Sequence, residues 1–145
     1  MMVSRRGRWL LWIGAGLLAV FVGLQFFGVE RTNPPVMSDI GAPAEIDAIL
    51  RRACYDCHSH ETRWPWYSRI APVSWWVVDH VDHGRGDLNF SKWPVFDFEE
   101  QDHALRDIEE QIGKGEMPLR SYLVLHGEAR LSDADRELLL RWARR

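Results

Sequence analysis

A long apolar run near the N-terminus constrains the fold of this chain more than any other feature. Residues 9–27, WLLWIGAGLLAVFVGLQFF, contain one strongly polar side chain, Gln25. A helix of this length nearly spans the hydrocarbon core of a bilayer, and the run lacks the polar stripe of a helix on a soluble domain. We predict a transmembrane anchor at residues 9–27, which leaves only about 100 residues for a further domain.

Arginines flank the short side of this run. Arg5, Arg6 and Arg8 lie in residues 1–8, and positive charge in such a flank keeps it in the cytoplasm. No small-x-small cleavage site follows the run, which favours an anchor over a removed signal peptide. The sequence therefore predicts a single-pass protein of the bacterial inner membrane. Residues 28–44 form a proline-containing linker, and residues 45–145 form a domain in the periplasm.

The peptide Cys54-Tyr55-Asp56-Cys57-His58 carries the clearest chemistry in the chain. C-x-x-C-H is the pattern that attaches haem covalently, with one thioether from each cysteine and the histidine as axial iron ligand. We predict one haem c per chain, bound by Cys54 and Cys57, with His58 as the proximal ligand.

Three haem-free alternatives remain for this motif: a zinc site, a thioredoxin-like dithiol, and a structural disulfide, whose geometry is strained at a spacing of three residues. Cys54, Cys57, His58 and His60 are four potential zinc ligands, although they lie closer together than the ligands of a zinc finger. A thioredoxin-like dithiol normally follows a β-strand, and no strand-like pattern precedes Cys54.

Helical periodicity extends through the rest of the chain. Amphipathic patterns predict helices over residues 45–53, 73–83, 97–114 and from Ser132 to the end, with residues 64–72 as an ordered loop. Gly84 and Gly86 are expected to stop the second of these helices, and Ser132 to cap the last. No alternating strand pattern occurs, so the fold class is predicted to be all-α. The predicted inward-facing residues are Ile46, Ile49, Leu50, Leu105, Ile108, Ile112, Leu138, Leu139 and Trp142.

This order of elements resembles class I cytochrome c. Residues 54–81, 84–94 and 115–143 look more specifically like the bacterial family of small membrane-anchored haem-binding domain proteins. The resemblance implies a small cytochrome c-like helical domain around a covalent haem, on the outer face of the cytoplasmic membrane.

The distal iron ligand is predicted to be Met117. It is the only methionine after the linker, and the following Pro118 stiffens the loop before the last helix, as in class I cytochromes. His80 and His83 on the preceding helix are the alternatives, although a histidine on an apolar helix is more often a hydrogen-bonded core residue.

Aromatic and basic residues after the motif are candidates for the haem environment. Their indole, phenol and guanidinium donors suit the propionates, or the aromatic rings simply form the core. These residues are Arg63, Trp64, Trp66, Tyr67 and Arg69. By resemblance to class I cytochromes, Pro72 is expected to offer its carbonyl to the outer nitrogen of His58.

Ligation by His58 and Met117 would saturate the iron, which predicts one-electron transfer rather than an enzyme. The alternatives are a redox or gas sensor or a peroxidase-like protein with an open or displaceable sixth position, and a haem-free zinc or dithiol module. The chain after the run contains 15 basic and 21 acidic residues. This negative charge argues against nucleic acid and leaves the membrane and an unidentified redox protein as predicted partners.

Overall fold

The computed structural model of the protein describes residues 5–144, so residues 1–4 of the predicted cytoplasmic segment and Arg145 lie outside the described residues. Regular structure in the described range is entirely helical, which confirms the all-α class. Its α-helices are α1 (Arg5–Leu24), α2 (Ala44–Ala53), α3 (Tyr55–His58), α4 (Val73–Asp87), α5 (Phe98–Lys114) and α6 (Asp133–Ala143). Short 3-10 turns occupy Trp66–Arg69, Phe90–Val95, Tyr122–Val124 and Gly127–Ala129.

The described chain divides into two compact units. The first unit combines residues 5–31 with residues 64–79, and the second combines residues 32–63 with residues 80–144. Because of this division, α4 begins in the first unit and ends in the second.

Helix α1 is the main element of the first unit. Its apolar stretch from Gly7 to Leu24 has a mean hydropathy of 1.7, and none of it is buried in the fold. The helix is long and apolar enough to cross a membrane, since 20 residues at about 1.5 Å each span about 30 Å. It ends earlier than residue 27 because the N–H groups of Gln25, Phe26 and Phe27 donate to carbonyls three residues back, which forms a tight turn.

The core of the second unit lies between the apolar faces of α2, α5 and α6. Helix α6 packs against both α5 and α2. Leu50, Phe90 and Leu139 are almost completely buried there, and each such side chain contributes about 1.5–3 kcal/mol by leaving water. The predicted inward-facing residues are all in this core: seven are buried, whereas Leu105 and Leu138 are half-buried and pack against its edge.

Helices α5 and α6 begin with capping boxes. The Asp97 side chain accepts from the N–H of Glu100, and the Glu100 side chain accepts from the N–H of Asp97. Ser132 and Asp135 make the same reciprocal pair at α6, which confirms the predicted cap. Gly115 closes α5 in the left-handed conformation, with φ of 70°, which a residue with a side chain rarely adopts.

The predicted end of α4 is wrong. The helix continues through Gly84 and Gly86 to Asp87. Gly84 is required for another reason: a Cβ atom at this position would lie 2.9 Å from the carbonyl oxygen of Cys57. The glycine therefore permits a close approach between a helix and a neighbouring backbone, and it does not end the helix.

Candidate functional site

Cys54 lies between α2 and α3, and Cys57 lies within α3. The backbone of Cys54 leaves the helical region, with φ of −127°, while its N–H still donates to the Leu50 carbonyl at 2.8 Å. Its own carbonyl accepts from the N–H groups of Cys57 and His58, so the motif is wound into one tight turn. This turn holds both sulfurs and the imidazole within a single short segment.

Both cysteines are reduced and partly buried. Burial raises the pKa of the Cys54 thiol to about 12 and that of the Cys57 thiol to about 11. At neutral pH both groups are therefore protonated thiols, and they lack the low pKa of a reactive dithiol site. These pKa values therefore disfavour the thioredoxin-like alternative.

The outer nitrogen of the His58 ring is fixed by two backbone carbonyls. Its Nδ1 lies 2.8 Å from the Gly84 oxygen and 3.2 Å from the Leu88 oxygen. Since carbonyls only accept hydrogen bonds, Nδ1 carries the proton and donates, which leaves the lone pair on Nε2. Burial also lowers the pKa of His58, so the ring is neutral and Nε2 has the electronic form of a metal ligand.

The prediction that the Pro72 carbonyl bonds the outer nitrogen of His58 is wrong. The acceptors of the His58 proton are Gly84 and Leu88, and the Pro72 carbonyl instead accepts from the N–H of Trp75 at 3.1 Å. The expectation for Pro72 comes from the resemblance to class I cytochromes. The intact helix places the Gly84 and Leu88 carbonyls at the ring instead.

Phe90 supports the motif from one side. Its ring stacks on Tyr55, with centroids 5.1 Å apart, and meets the His58 ring edge-on at 6.4 Å. The Tyr55 hydroxyl donates to Asp39 at 2.6 Å, and the Arg51 guanidinium lies 4.6 Å from the Tyr55 ring centre. The orientation of His58 is thus set by packing as well as by hydrogen bonds.

Asp56, between the cysteines, is a buried hydrogen-bond centre that sequence reasoning missed. Its carboxylate accepts from the N–H of Arg63 at 3.0 Å, from the Arg63 guanidinium, and from the Tyr122 hydroxyl at 2.7 Å. Tyr122 in turn stacks on His126, with ring centres 4.1 Å apart. The turn Tyr122–Val124, which follows Met117 in the chain, is thereby tied to the attachment motif. A carboxylate at the second x of C-x-x-C was the available signal.

Among the predicted haem-environment residues, Arg63 has a defined partner in the motif. Arg63 pairs with Asp56, and this hydrogen bond raises the pKa of its guanidinium. Trp64, Trp66, Tyr67 and Arg69 belong to the first unit, whereas the cysteines and His58 belong to the second. A role beside the haem stays a prediction for all five residues.

The distal ligand also stays a prediction. Met117 is half-buried, and its N–H donates to the Gln111 carbonyl at 3.4 Å. Of the alternatives on α4, His80 is half-buried and His83 is exposed, and each has interaction partners of its own.

The four candidate zinc ligands do not converge. His60 is buried with both ring nitrogens used: Nδ1 bonds the Pro35 carbonyl and Nε2 bonds the Asn89 amide, each at 2.9 Å. Within residues 5–144, no group of three or more Cys, His, Asp or Glu side chains has an arrangement that suits a metal ion. The geometry therefore disfavours the zinc alternative.

The donor set fits a covalent haem: two reduced thiols beside one neutral imidazole whose Nε2 lone pair is available. Comparison with known proteins supports haem binding. A model of the family described as a haem-binding domain matches residues 19–145. Comparisons with curated proteins and with solved structures gave no match. Since the family model covers most of the chain, this haem-binding protein belongs to the haem-binding domain family.

Proposed function

We propose that this protein holds one haem c covalently through Cys54 and Cys57 and transfers single electrons at the outer face of the inner membrane. The observation that carries the proposal is the state of His58, since both carbonyl partners leave Nε2 as the ligating nitrogen. The bound haem supplies a reversible one-electron couple.

The residues around His58 tune the iron through the imidazole. The Gly84 and Leu88 carbonyls accept the Nδ1 proton, which makes the ring a stronger donor and holds its plane. Contact with Phe90 restricts ring rotation. A fixed axial ligand suits electron transfer because little rearrangement accompanies a change of oxidation state.

Met117 is proposed as the second axial ligand. Two features support a fixed loop around it: Gly115 terminates α5 just before it, and the Tyr122 hydroxyl bonds Asp56 just after it. A thioether ligand raises the reduction potential and leaves no open position for oxygen or peroxide. These properties favour an electron carrier over a gas sensor or a peroxidase.

Anchoring by α1 is proposed to place the haem-binding residues in the periplasm. The apolar helix, with Arg5, Arg6 and Arg8 at its N-terminal end, supports this orientation. The excess of acidic residues after the anchor favours a redox partner with a basic surface.

Haem staining after denaturing electrophoresis tests the attachment. Purified wild-type protein is expected to retain stain, and the double variant Cys54→Ala, Cys57→Ala is expected to lose it, because only thioethers survive denaturation. Equal, extractable haem in both proteins would contradict covalent attachment.

A spectrum of the same preparations tests the electron-transfer role. We expect a low-spin ferric wild type with the weak far-red band of methionine ligation, and loss of that band in Met117→Ala with a lower potential. A high-spin wild type, or a site opened only by changes at His80 or His83, would favour the sensor or peroxidase alternative.

A further inference from the structure

Gln25, the one strongly polar side chain of the apolar run, has a specific partner within the first unit. Its Nε2 donates to the Phe21 carbonyl at 2.8 Å and to the Ala71 carbonyl at 3.1 Å. Its Oε1 accepts from the N–H of Ala71 at 3.0 Å. Both atoms of the amide are therefore used to hold the backbone of residue 71 at the C-terminal end of α1.

Two further hydrogen bonds join the same parts of the chain. The Trp75 indole N–H donates to the Phe27 carbonyl at 2.7 Å, and the Arg31 guanidinium donates to the Ser68 carbonyl at 3.0 Å. With the Gln25 pair, these bonds fix residues 68–75 against the residues that follow α1. If α1 spans a membrane, this is the level at which the chain leaves the hydrocarbon core.

The attached segment exposes large apolar side chains. Trp66 is 73 % exposed, Trp76 is 47 % exposed and Val73 is 43 % exposed. Indole rings with an apolar body and a polar N–H are enriched at membrane–water interfaces, where both parts are satisfied. Arg69, also exposed, adds a cation of the kind that pairs with lipid phosphate.

The anchor itself has aromatic belt residues at one end only. Trp9 and Trp12 follow the N-terminal arginines, and both are exposed, whereas residues 13–28 contain no tryptophan or tyrosine. The segment at residues 64–79 contains four tryptophans and a tyrosine. It therefore brings to the C-terminal end of α1 the residue types that this end of the anchor lacks.

We propose that residues 64–79 form an interfacial segment, with Trp66 and Trp76 inserted among the lipid headgroups next to the end of α1. The inference rests on the proposed membrane anchoring and adds a second contact with the bilayer. It also gives the aromatic residues of this segment a role other than lining the haem.

Spin labelling of the full-length holoprotein in vesicles of phosphatidylcholine and phosphatidylglycerol tests the proposal. Because Cys54 and Cys57 are held as thioethers, each of Leu17→Cys, Trp66→Cys, Trp76→Cys and Glu137→Cys introduces a single reactive thiol for a nitroxide. Power saturation with oxygen and with a water-soluble nickel chelate then reports depth. Glu137, 71 % exposed on α6, is the aqueous control, and Leu17, 67 % exposed on α1, reports the anchor.

We expect the oxygen-to-nickel accessibility ratio to be highest at residue 17, lowest at residue 137, and several-fold above the residue 137 value at residues 66 and 76. A low-spin spectrum and haem stain equal to wild type verify folding of each variant. Val73→Cys provides a third position in the segment if either tryptophan variant fails this check. Gln25→Leu, which keeps α1 apolar but removes both bonds to Ala71, is expected to lower the ratio at residue 66.

Three outcomes would overturn the inference. If residues 66 and 76 match residue 137 while residue 17 is embedded, the segment is aqueous and the anchor alone stands. If residue 17 also matches residue 137, the anchoring fails and the interfacial segment fails with it. If oxygen and nickel accessibility both fall at residues 66 and 76, a second copy of the chain covers them rather than lipid. If the thioethers do not form, the nitroxide also labels the unsubstituted protein, at Cys54 or Cys57. This control therefore detects a failure of haem attachment separately from the depth measurement.

Discussion

Gly84 lies where α4 meets the backbone of Cys57, and a single added methyl group is expected to disturb the haem site. In Gly84→Ala the new Cβ would lie 2.9 Å from the Cys57 carbonyl oxygen and 3.3 Å from the Cys57 Cβ. Because the nearest atom belongs to the backbone, α4 must shift, which we expect to lower the free energy of unfolding by about 1–3 kcal/mol. The shift should also lengthen the bond from His58 Nδ1 to the Gly84 carbonyl and change the electron paramagnetic resonance g-values of the iron.

Gly86 is the matched control for this change. It lies on the same helix, and an added Cβ there would have no atom within 4 Å. Gly86→Ala is expected to raise the free energy of unfolding by about 0.5–1 kcal/mol, because alanine is the better helix former. Chemical denaturation of both variants measures the two effects, and a change of the same sign in both would contradict the close contact at Gly84.

Tyr122 gives a pH dependence to the stability of the second unit. Burial, followed by the hydrogen bond to Asp56, raises the pKa of its phenol well above the ordinary value near 10. Above about pH 10 the unfolded chain loses this proton whereas the folded chain keeps it, so the free energy of unfolding falls by about 1.4 kcal/mol per pH unit. In Tyr122→Phe this contribution is absent. Between about pH 10 and 12 the free energy of unfolding of the variant should therefore fall less steeply than that of the wild type, by about 1.4 kcal/mol per pH unit.

Urea denaturation across this pH range measures the difference. Tyr55→Phe is a positive control, because burial and the hydrogen bond to Asp39 also raise the pKa of Tyr55. Both phenylalanine variants are expected to show the shallower slope. Equal slopes for Tyr122→Phe and the wild type would show that the Tyr122 proton is not held in the fold.

At the level of helices, the sequence predicted what local chemistry determines. The apolar faces of α2, α5 and α6 and the cap at Ser132 follow from periodicity and from side chains that bond their own backbone. The end of α4 was mispredicted because the same glycine signal arises from a helix stop and from a close tertiary contact. Only the position of Cys57 distinguishes these two causes.

The candidate site also has one part that a local pattern predicts and another part that depends on tertiary structure. C-x-x-C-H predicts Cys54, Cys57 and His58 as site residues from two residue types in one turn. The partners of the motif are distant in sequence: Gly84 lies 26 residues from His58, and Tyr122 lies 66 residues from Asp56. No local sequence pattern specifies which carbonyl or hydroxyl group bonds His58 or Asp56. Gln25 is similar, since its polarity was evident but its partner, Ala71, is 46 residues away.

For the molecule as a whole, the proposed anchoring makes orientation in the membrane decide whether Cys54 and Cys57 can receive haem. Arg5, Arg6 and Arg8 lie at the N-terminal end of α1, and Arg31 is the first basic residue after the helix. This bias predicts that a reporter active only in the periplasm works when fused after Arg145 and fails when fused at the N-terminus. Haem stain on the C-terminal fusion is expected to accompany reporter activity, because the proposed thioether attachment would take place in the periplasm.

Replacing the arginines at the N-terminal end of α1 tests the cause of this orientation. In the triple variant Arg5→Gln, Arg6→Gln, Arg8→Gln, no basic side chain remains on the N-terminal side of the apolar run, whereas Arg31 still follows the run. Reporter activity at the C-terminus and haem stain should fall together, while activity of the N-terminal fusion rises. Arg31→Gln is the matched control, because it strengthens the original bias and should leave both readouts at the wild-type level. Full haem attachment with an inactive C-terminal reporter would contradict the proposed topology, since haem would then be attached on the cytoplasmic side.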